Sequence, residues 1–419
     1  MKAIVDISKN NWLKKIPANW EIFRIKNLFQ LSQEKNQGED LPILSLSQSG
    51  IRIRDISTNE GQLAESYENY TRIRPNDLVF NPMDLRSGAI DLSTYDGVIS
   101  LAYSVLRKYS GINIHLKYFK YYFQWHYLDK IFFPFGQGVS VDHRWTLKDY
   151  VLLNFPVLFP PLETQKRIAD FLDKETKIID GLIERKEKLI ELLCEKSHAL
   201  ITRVVTKGLD LKAKMKLSGI DWLGDIPRGW EVRRGKFLFR YKKEPNNIYQ
   251  CDHILALTLK GVINKEDYEA RSLIPTDYAS YQIFYPDDLV FKLIDLENFQ
   301  TSRVGIVPEK GIMSPAYLRI IPVAKIAPRF FYWFYYSLYL QGVFNFLGMG
   351  VRSALNQHDL LTQSVTLPPP QEQKRIVDFL DDKTTRIDRA VALIESQIEK
   401  LKEYRSSLIY SAVTGKIKI

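Results

Sequence analysis

Cysteine is nearly absent from this chain of 419 residues, which contains only Cys194 and Cys251. No Cys-x-x-Cys pair and no Cys/His cluster accompanies them. This excludes a zinc site of the usual spacing and a disulfide framework, and it is typical of a reducing compartment. The first residues, Met1–Asp6, lack the apolar core of a signal peptide. We therefore expect a cytoplasmic protein.

Long hydrophobic runs are also missing. The most apolar stretch, Phe330–Leu340, is too short to span a bilayer, and Gln341 and Gly342 interrupt its continuation. The corresponding stretch of the first half, Tyr118–Phe135, carries charged residues. Both stretches are interpreted as aromatic helices buried in the cores of soluble domains, and no membrane partner is expected.

Recognisable catalytic motifs are lacking as well. Asn81-Pro82-Met83-Asp84 only faintly resembles the Asn-Pro-Pro-Tyr motif of adenine methyltransferases, and no glycine-rich cofactor loop precedes it. The glycine pairs Gly136-x-Gly138 and Gly348-x-Gly350 are not followed by the Gly-Lys-Ser/Thr of a phosphate loop. We expect no catalytic residue, no metal and no cofactor in this chain, although an enzyme with an unrecognised site remains an alternative.

Positive charge is in modest excess, with 59 Lys and Arg against 49 Asp and Glu and a net charge of +10. The excess is shared about equally by the two halves rather than concentrated in a tail. Such a balance suits a nucleic-acid partner held by positioned contacts, although many basic proteins bind no nucleic acid.

The sequence is internally duplicated at a period of about 210 residues. Five segments occur in both halves. They are an opening with Trp-Leu and Ile-Pro-x-x-Trp-Glu, an Asp-Leu-Val-Phe run, a Ser-x-Ala-Tyr run, a Gly-x-Gly-Val run and a nine-residue run from Gln to Asp. In order, the copies begin at Trp12 and Trp222, Asp77 and Asp288, Ser100 and Ser314, Gly136 and Gly348, and Gln165 and Gln373.

Each repeat begins with short runs of apolar, β-branched or aromatic residues bounded by Gly, Pro, Asn and Asp, a pattern that favours strands. The runs are Leu41–Leu46, Asp77–Phe80, Val98–Leu106, Leu289–Phe291 and Tyr317–Pro322. Together with the aromatic helices they predict two α+β domains.

Each repeat ends in a long helix. Prolines mark its beginning, at Pro160-Pro161 and at Pro368-Pro369-Pro370, and about 44 proline-free residues follow. Apolar residues near a 3.5-residue spacing predict a coiled-coil seam. We place the seams at Ile168, Leu172, Ile179, Leu182, Leu189, Leu193 and Leu200, and at Ile376, Leu380, Ile387, Ala390, Ile394, Leu401 and Leu408.

Each seam needs a partner, and the other repeat supplies the nearest one. Antiparallel pairing would relate the repeats by a pseudo-twofold axis and hold the two domains apart, since 44 residues of helix span about 65 Å. That separation fits two reading domains one to two duplex turns apart on DNA, at about 34 Å per turn. A duplicated scaffold without DNA binding is the alternative.

The proline-marked run Gln165-Lys166-Arg167-Ile168 and its twin Gln373-Lys374-Arg375-Ile376, with the Ile-Pro-x-x-Trp-Glu openings, resemble the specificity subunit of type I restriction–modification systems. The resemblance covers essentially the whole chain. It implies two target-recognition domains, each of which reads one half of a split, asymmetric double-stranded DNA target. It also implies that the helices set the length of the gap between the two halves.

The resemblance also implies partners. Two copies of a methyltransferase subunit are expected to dock on the helices, and restriction subunits are expected to join them. S-adenosylmethionine, ATP and Mg are expected on those partner subunits, with this chain as a non-catalytic guide.

Polar side chains on loops inside each domain, in parts where the halves diverge, are the candidate DNA contacts, because Arg and Lys suit guanine and Asn and Gln suit adenine. The candidates are Arg52, Arg54, Arg86, Ser87, Ser140, His143, Arg144, Lys260, Arg303, Arg352, Asn356 and Gln357.

The predicted organisation has five segments. They are a first recognition domain (1–160), a first helix (161–207), a linker (208–220), a second recognition domain (221–367) and a second helix (368–415). The alternative to a specificity subunit is an orphan DNA-binding scaffold of the same fold that lacks restriction partners.

Overall fold

A computed structural model describes residues 16–56, 66–86, 88–138, 145–247, 250–265, 278–294, 302–347 and 354–419. The chain divides into two compact units. The first unit comprises Met1–Lys186 and Glu395–Ile419, and the second comprises Glu187–Ile394. The units therefore differ from the predicted segments, because each one contains a recognition domain together with half of each long helix.

The first domain has a short first turn, an aromatic helix and a small helix, the second has an aromatic helix and two small helices, and a long helix follows each domain. Their bounds are α1 (Ile25–Leu28), α2 (Leu116–Leu128), α3 (Asp149–Asn154), α4 (Leu162–Lys207), α5 (Pro328–Leu340), α6 (Val343–Leu347), α7 (Gln357–Thr362) and α8 (Pro370–Val413). The long helices α4 and α8 lie where the sequence predicts them.

Short strands make up the rest of the regular structure. Those of the first unit are β1 (Glu21–Arg24), β2 (Phe29–Leu31), β3 (Leu44–Ser47), β4 (Gly50–Ile53), β5 (Thr71–Ile73), β6 (Leu78–Phe80), β7 (Ile90–Leu92), β8 (Gly97–Ile99), β9 (Ser104–Lys108) and β10 (Pro156–Phe159). Those of the second unit are β11 (Met215–Leu217), β12 (Asp225–Pro227), β13 (Glu231–Arg234), β14 (Phe239–Tyr241), β15 (Leu255–Thr258), β16 (Gly261–Asn264), β17 (Gln282–Phe284), β18 (Leu289–Phe291), β19 (Val304–Ile306), β20 (Gly311–Met313), β21 (Leu318–Pro322) and β22 (Ser364–Leu367).

The strand pairings of the two domains are the same. In the described part of the first domain the central sheet has the order β2-β9-β6-β7, and its partner in the second domain has the order β14-β21-β18-β19. The antiparallel pairs β1-β10, β3-β4 and β5-β8 correspond in the same way to β13-β22, β15-β16 and β17-β20. The sequence duplication is therefore a duplication of fold, in mixed α and β domains.

One expectation about the strands is wrong. The run Val98–Leu106 is not one strand, because a turn closed by the Tyr103 N–H bonding the Ser100 carbonyl at 3.1 Å separates β8 from β9. The predicted linker at 208–220 has some regular structure. It contains β11, which pairs antiparallel with β12 at the opening of the second domain.

Ion pairs cross the central sheet of the first domain. The Asp77 carboxylate, at the end of a turn whose Asn76 has a φ of 75°, accepts two bonds from Arg107 of β9 at 2.7 and 2.8 Å. Arg107 also bonds Glu34 at 2.7 Å, and Arg74 bonds the same Glu34 at 2.6 Å. These bonds, with that of Arg74 as the largest cause, lower the pKa of Glu34 to about 2.

The second domain repeats this arrangement. Arg319 of β21 is buried and bonds Asp288 at 2.5 Å and Glu244 at 3.1 Å. The Tyr285 hydroxyl donates to Glu244 at 2.7 Å, and this bond is the largest of the causes that lower the pKa of Glu244 to about 2. The aspartate of each Asp-Leu-Val-Phe run therefore holds the central sheet together through an arginine of the strand that pairs with that run.

An aromatic helix fills the core of each domain, as the sequence predicts. In α2, Tyr118, Phe119 and Phe123 are fully buried, and in α5 the same is true of Phe331 and Tyr335. Edge-to-face ring contacts join Phe29 to Phe119 and Phe239 to Phe331, with centroids 5.4 and 5.1 Å apart. Among the described residues, no helix is long and apolar enough to cross a membrane.

The Gln-Lys-Arg-Ile run attaches the first long helix to its domain. Gln165 of α4 is buried, its Nε2 donates to the Pro160 carbonyl at 2.8 Å, and its Oε1 accepts the His115 N–H at 2.9 Å. At the other end of the run, Asp173 accepts bonds from Lys117 and Tyr121 of α2.

The second copy of this joint has the same geometry. Gln373 of α8 is buried and bonds the Pro368 carbonyl at 2.8 Å and the Ala327 N–H at 2.9 Å. Asp381 accepts from Arg329 and Trp333 of α5. In both copies the residues that carry the duplication hold a helix to a domain.

The far end of each long helix packs against an Ile-Pro-x-x-Trp opening. In the first unit a Cβ on Gly415, whose φ is 72°, would lie 2.6 Å from Pro17 and 3.1 Å from Trp20. In the second unit a Cβ on Gly208, whose φ is 75°, would lie 3.3 Å from Trp230. Glycine is required at both ends for its left-handed backbone and for the close approach.

Within each unit the two long helices lie in contact. In the first, Asp180 bonds Arg405 at 2.8 Å and Lys186 bonds Gln397 at 2.6 Å. Because the later residue of α4 meets the earlier residue of α8, the segments run in opposite directions. In the second, the ends of both helices share one core with Ile201, Val204, Ile376 and Leu380 among its members.

The predicted seam of α4 needs a correction. Leu182 and Leu189 are 37% and 45% exposed, whereas Ile183 and Ile190 are more buried. Ile183 lies four residues after the buried Ile179, and Ile190 lies seven residues after Ile183. The buried stripe of α4 therefore passes one residue beyond the predicted Leu182 and Leu189. In α8, Ile376, Leu380 and Ile394 are buried as predicted.

We expect Gln165→Ala to lower the free energy of unfolding by about 1–3 kcal/mol, because it leaves a buried N–H and a buried carbonyl without their partner. Gln373→Ala should have a similar effect. Chemical denaturation measures both. The control is Lys166→Ala, which removes only a surface pair with Glu163. Equal destabilisation by the control and by the glutamine variants would contradict the structural role of the glutamines.

Stability should depend on pH through Glu34 and Glu244. Their lowered pKa values mean that each carboxylate stabilises the fold fully above the unfolded value of about 4.5, and that this contribution is lost as the pH falls towards 2. The Glu34→Gln and Glu244→Gln variants should therefore melt below the native protein at pH 7, and the difference should shrink between pH 4.5 and 2. Glu184→Gln, on an exposed face of α4, is the control. A difference that does not change with pH would refute the assignment.

Candidate nucleic-acid interface

A cleft of about 680 Å³ opens in the first domain where β2, β9 and the start of α3 approach the loop after β6. Its lining residues are Leu31, Ser32, Gln33, Lys35, Thr71, Pro82, Met83, Leu101, Ala102, Tyr103, Ser104, Val105, Thr146, Leu147, Lys148 and Asp149. The loop that faintly resembles a methyltransferase motif is thus one wall of this cleft.

A second cleft, of about 310 Å³, lies in the second domain. It is lined by Leu293, Ile294, Ala316, Leu318, Leu355, Asn356, Gln357 and His358.

The two clefts occupy the same place in the duplicated fold. The Leu147 N–H bonds the Pro82 carbonyl at 2.8 Å, and the Leu355 N–H bonds the Leu293 carbonyl at 2.9 Å. The alanine of each Ser-x-Ala-Tyr run lines its cleft. Each domain therefore presents a concave surface built on one common frame.

The small helix beside each cleft begins differently in the two domains. In the first, the exposed Lys148 precedes α3, and Asp149 accepts a bond from the Ser104 hydroxyl at 2.8 Å. In the second, Asn356 caps α7, because its side-chain oxygen accepts the N–H groups of His358 and Asp359. The oxygen of Asn356 is thus engaged within the protein. The next residue, Gln357, is exposed and lines the cleft.

The hairpin β3-β4 presents Arg52, which is exposed, and is followed by the half-buried Arg54. Asp91 of β7 holds this hairpin, since its Oδ2 accepts the Ile51 N–H at 3.0 Å and its Oδ1 bonds Lys120 at 2.7 Å. Gly50 permits the approach: its φ is 103°, and a Cβ there would lie 2.4 Å from Asp91 Oδ2.

The matching hairpin β15-β16 of the second domain carries the exposed Lys260 at its turn. Thr258 shapes that turn, because its hydroxyl oxygen accepts the Lys260 N–H at 3.1 Å. Arg52 and Lys260 therefore stand on equivalent hairpins, at different positions.

Arg303 is a correction. It is only 1% exposed, and its Nη1 donates to the Ile294 carbonyl at 3.1 Å, so it belongs to the interior of the second domain rather than to a loop that meets DNA. Arg86, by contrast, is exposed after the turn that follows β6. Ser87, Ser140, His143, Arg144 and Arg352 lie outside the described residues.

Several cleft residues were missed by sequence reasoning. Lys148, Lys35 and Gln33 of the first domain and His358 of the second line the clefts, and none of them is among the candidates chosen from the sequence. The signal that could have found them is the recurring Ser-x-Ala-Tyr run, which marks the cleft in each copy.

The described residues hold no group of three or more His, Cys, Asp and Glu side chains placed to bind a metal ion. The buried histidine of the first domain, His126, is packed among aromatic rings, and burial lowers its pKa to about 3. It is a neutral core residue over the physiological range.

Two duplicated α+β domains, each with a concave surface and each fixed to a long helix, define the architectural class of this chain. The family model of the type I restriction modification DNA specificity domain matches residues 17–192 and 238–403. The chain belongs to this family.

Similar proteins agree with this assignment. The putative type I restriction enzyme MjaX specificity subunit of Methanocaldococcus jannaschii is 24% identical, and the alignment covers 98% of this chain and 96% of that protein. A chain from a structural study of complex assembly and conformational transition of the type I R-M system has a TM-score of 0.64 at 16% identity, covering 96% of this chain and 100% of that one. The HsdS subunit from Thermoanaerobacter tengcongensis has a TM-score of 0.51 at 14% identity, with coverage of 96% and 98%. At these identities the structural likeness concerns the fold.

Proposed function

We propose that this chain is the DNA sequence-specificity subunit of a type I restriction–modification complex, in which each recognition domain reads one half of a bipartite, asymmetric target. The observation that carries the proposal is the pair of clefts. They stand on one duplicated frame, yet their side chains differ, as expected if the two half-sites differ in sequence.

The long helices, on this proposal, pair as an antiparallel coiled coil, relate the repeats by a pseudo-twofold axis and set the gap between the half-sites. The bond between Asp180 and Arg405 in the first unit supports antiparallel pairing. So does the shared packing of Val204 and Ile376 in the second.

Two methyltransferase subunits and the restriction subunits are the proposed partners on these helices. Apolar side chains left exposed on them support a docking role, since exposed apolar groups in a row often mark an interface. In the first unit these include Ile178 and Leu182, and in the second Leu189, Leu192 and Leu393.

The chemistry is proposed to reside in the partners. S-adenosylmethionine, ATP and Mg would bind there, and this chain would act in the cytoplasm as a non-catalytic guide. The family assignment supports this division, because its description names DNA specificity.

The test is assembly with the methyltransferase subunit of a type I system from the same cells. The complex should methylate DNA at one bipartite sequence, and each component alone should not. In that complex, Arg144→Ala and Arg352→Ala should each weaken recognition of only one half-site, by about 1–3 kcal/mol. Methyl transfer by this chain alone would contradict the non-catalytic role. DNA binding without any methyltransferase partner would favour an orphan scaffold.

Lengthening the helices tests the gap-setting role. Four residues inserted after Leu189 and after Gln397, its counterpart in α8, add about one helical turn to each helix. The expected result is an altered gap between unchanged half-sites, measured by mapping methylated sites. The same insertion in the 208–214 segment, outside both helices, is the control. An unaltered gap in a complex that still methylates DNA would refute the role.

A further inference from the structure

The two clefts differ in chemistry at corresponding positions. Because Leu147 and Leu355 make equivalent backbone bonds, Lys148 corresponds to Asn356, and Asp149 to Gln357. The common frame thus presents a cation and a carboxylate in the first domain, and two amides in the second.

The first cleft is charged. Lys148 and Lys35 line it and are exposed, and neither has a hydrogen-bond or ion-pair partner through its side chain among the described residues. Asp149, engaged with Ser104, borders them. An exposed ammonium group at a concave surface is a strong donor for a ligand with acceptor atoms.

The second cleft is lined within the described residues by amides, one imidazole and apolar groups, without lysine or arginine. Gln357 is exposed, and its amide can donate and accept at once. Ile294, 41% exposed, and Ala316 provide an apolar wall beside it.

Base pairs differ in the groups that they present in the major groove, so a charged cleft and an amide-lined cleft suit different pairs. Guanine offers two acceptors, N7 and O6, which suit lysine, and cytosine offers a donor, which suits a carboxylate. Adenine offers an acceptor and a donor, which suit the glutamine amide, and thymine adds a methyl group, which suits an apolar wall.

We propose that each cleft reads one base pair and that the pairs are of opposite kind: Lys148 selects a G·C pair in the first half-site, and Gln357 selects an A·T pair in the second. This assignment rests on the proposed function, which supplies DNA as the ligand. It adds the specificity-determining residue of each domain and the base pair it recognises.

Exchange of the two chemistries tests the proposal in the assembled methyltransferase complex. Lys148→Gln should change the preferred pair at one position of the first half-site from G·C towards A·T. Gln357→Lys should do the reverse in the second. Binding of a duplex library, with every base pair of both half-sites varied, measures the preference. Each exchange should reduce discrimination at its own position by about 10- to 100-fold and leave the other half-site unchanged.

The controls make the same charge changes outside the clefts. Lys26→Gln and Gln371→Lys lie at exposed positions and should alter no base preference. A uniform loss of affinity over all sequences in Lys148→Gln or Gln357→Lys would identify phosphate contacts and overturn the assignment. Unchanged base preference in both variants would overturn it as well. A native complex without any sequence preference would instead overturn the proposed function.

Discussion

A buried glutamine attaches each recognition domain to its long helix, and the remaining architecture depends on that attachment. Gln165 and Gln373 each bond a proline carbonyl before the helix and the N–H group at the start of an aromatic helix. One side chain thereby joins three elements, and an aspartate two turns later joins the same two helices again. A reading surface can define a position on DNA only when its domain has a fixed orientation on the helix.

The duplication, the α+β character of the domains and the bounds of the long helices could be predicted from sequence, because repeated motifs, proline boundaries and apolar spacing are local signals. The exact stripe of α4 could not, since Leu182 and Ile183 are both apolar and only packing distinguishes them. Nor could the burial of Arg303. From sequence alone, a charged residue near a loop is expected to be exposed. Only the structure shows that Arg303 lies in the core and bonds the carbonyl of Ile294.

The candidate site shows the same limit. Gln357 was identified because amides suit adenine, but the lining role of Lys148 depends on chain segments distant in sequence, namely β2, β9 and the loop after β6. Asn356 illustrates the opposite case, since its side-chain oxygen is occupied in capping α7. The residues of the joints repeat between the halves because both copies attach a domain to a long helix in the same way, whereas the cleft residues differ between the two copies.

The central claim is that this chain supplies the sequence preference of a methyltransferase, with one half-site for each domain. The most direct measurement is the genome-wide mapping of methylated adenines in cells with and without this gene. The account predicts one class of bipartite, asymmetric methylated sites that disappears when the gene is removed. Methylation at the same sites in cells without the gene would contradict it.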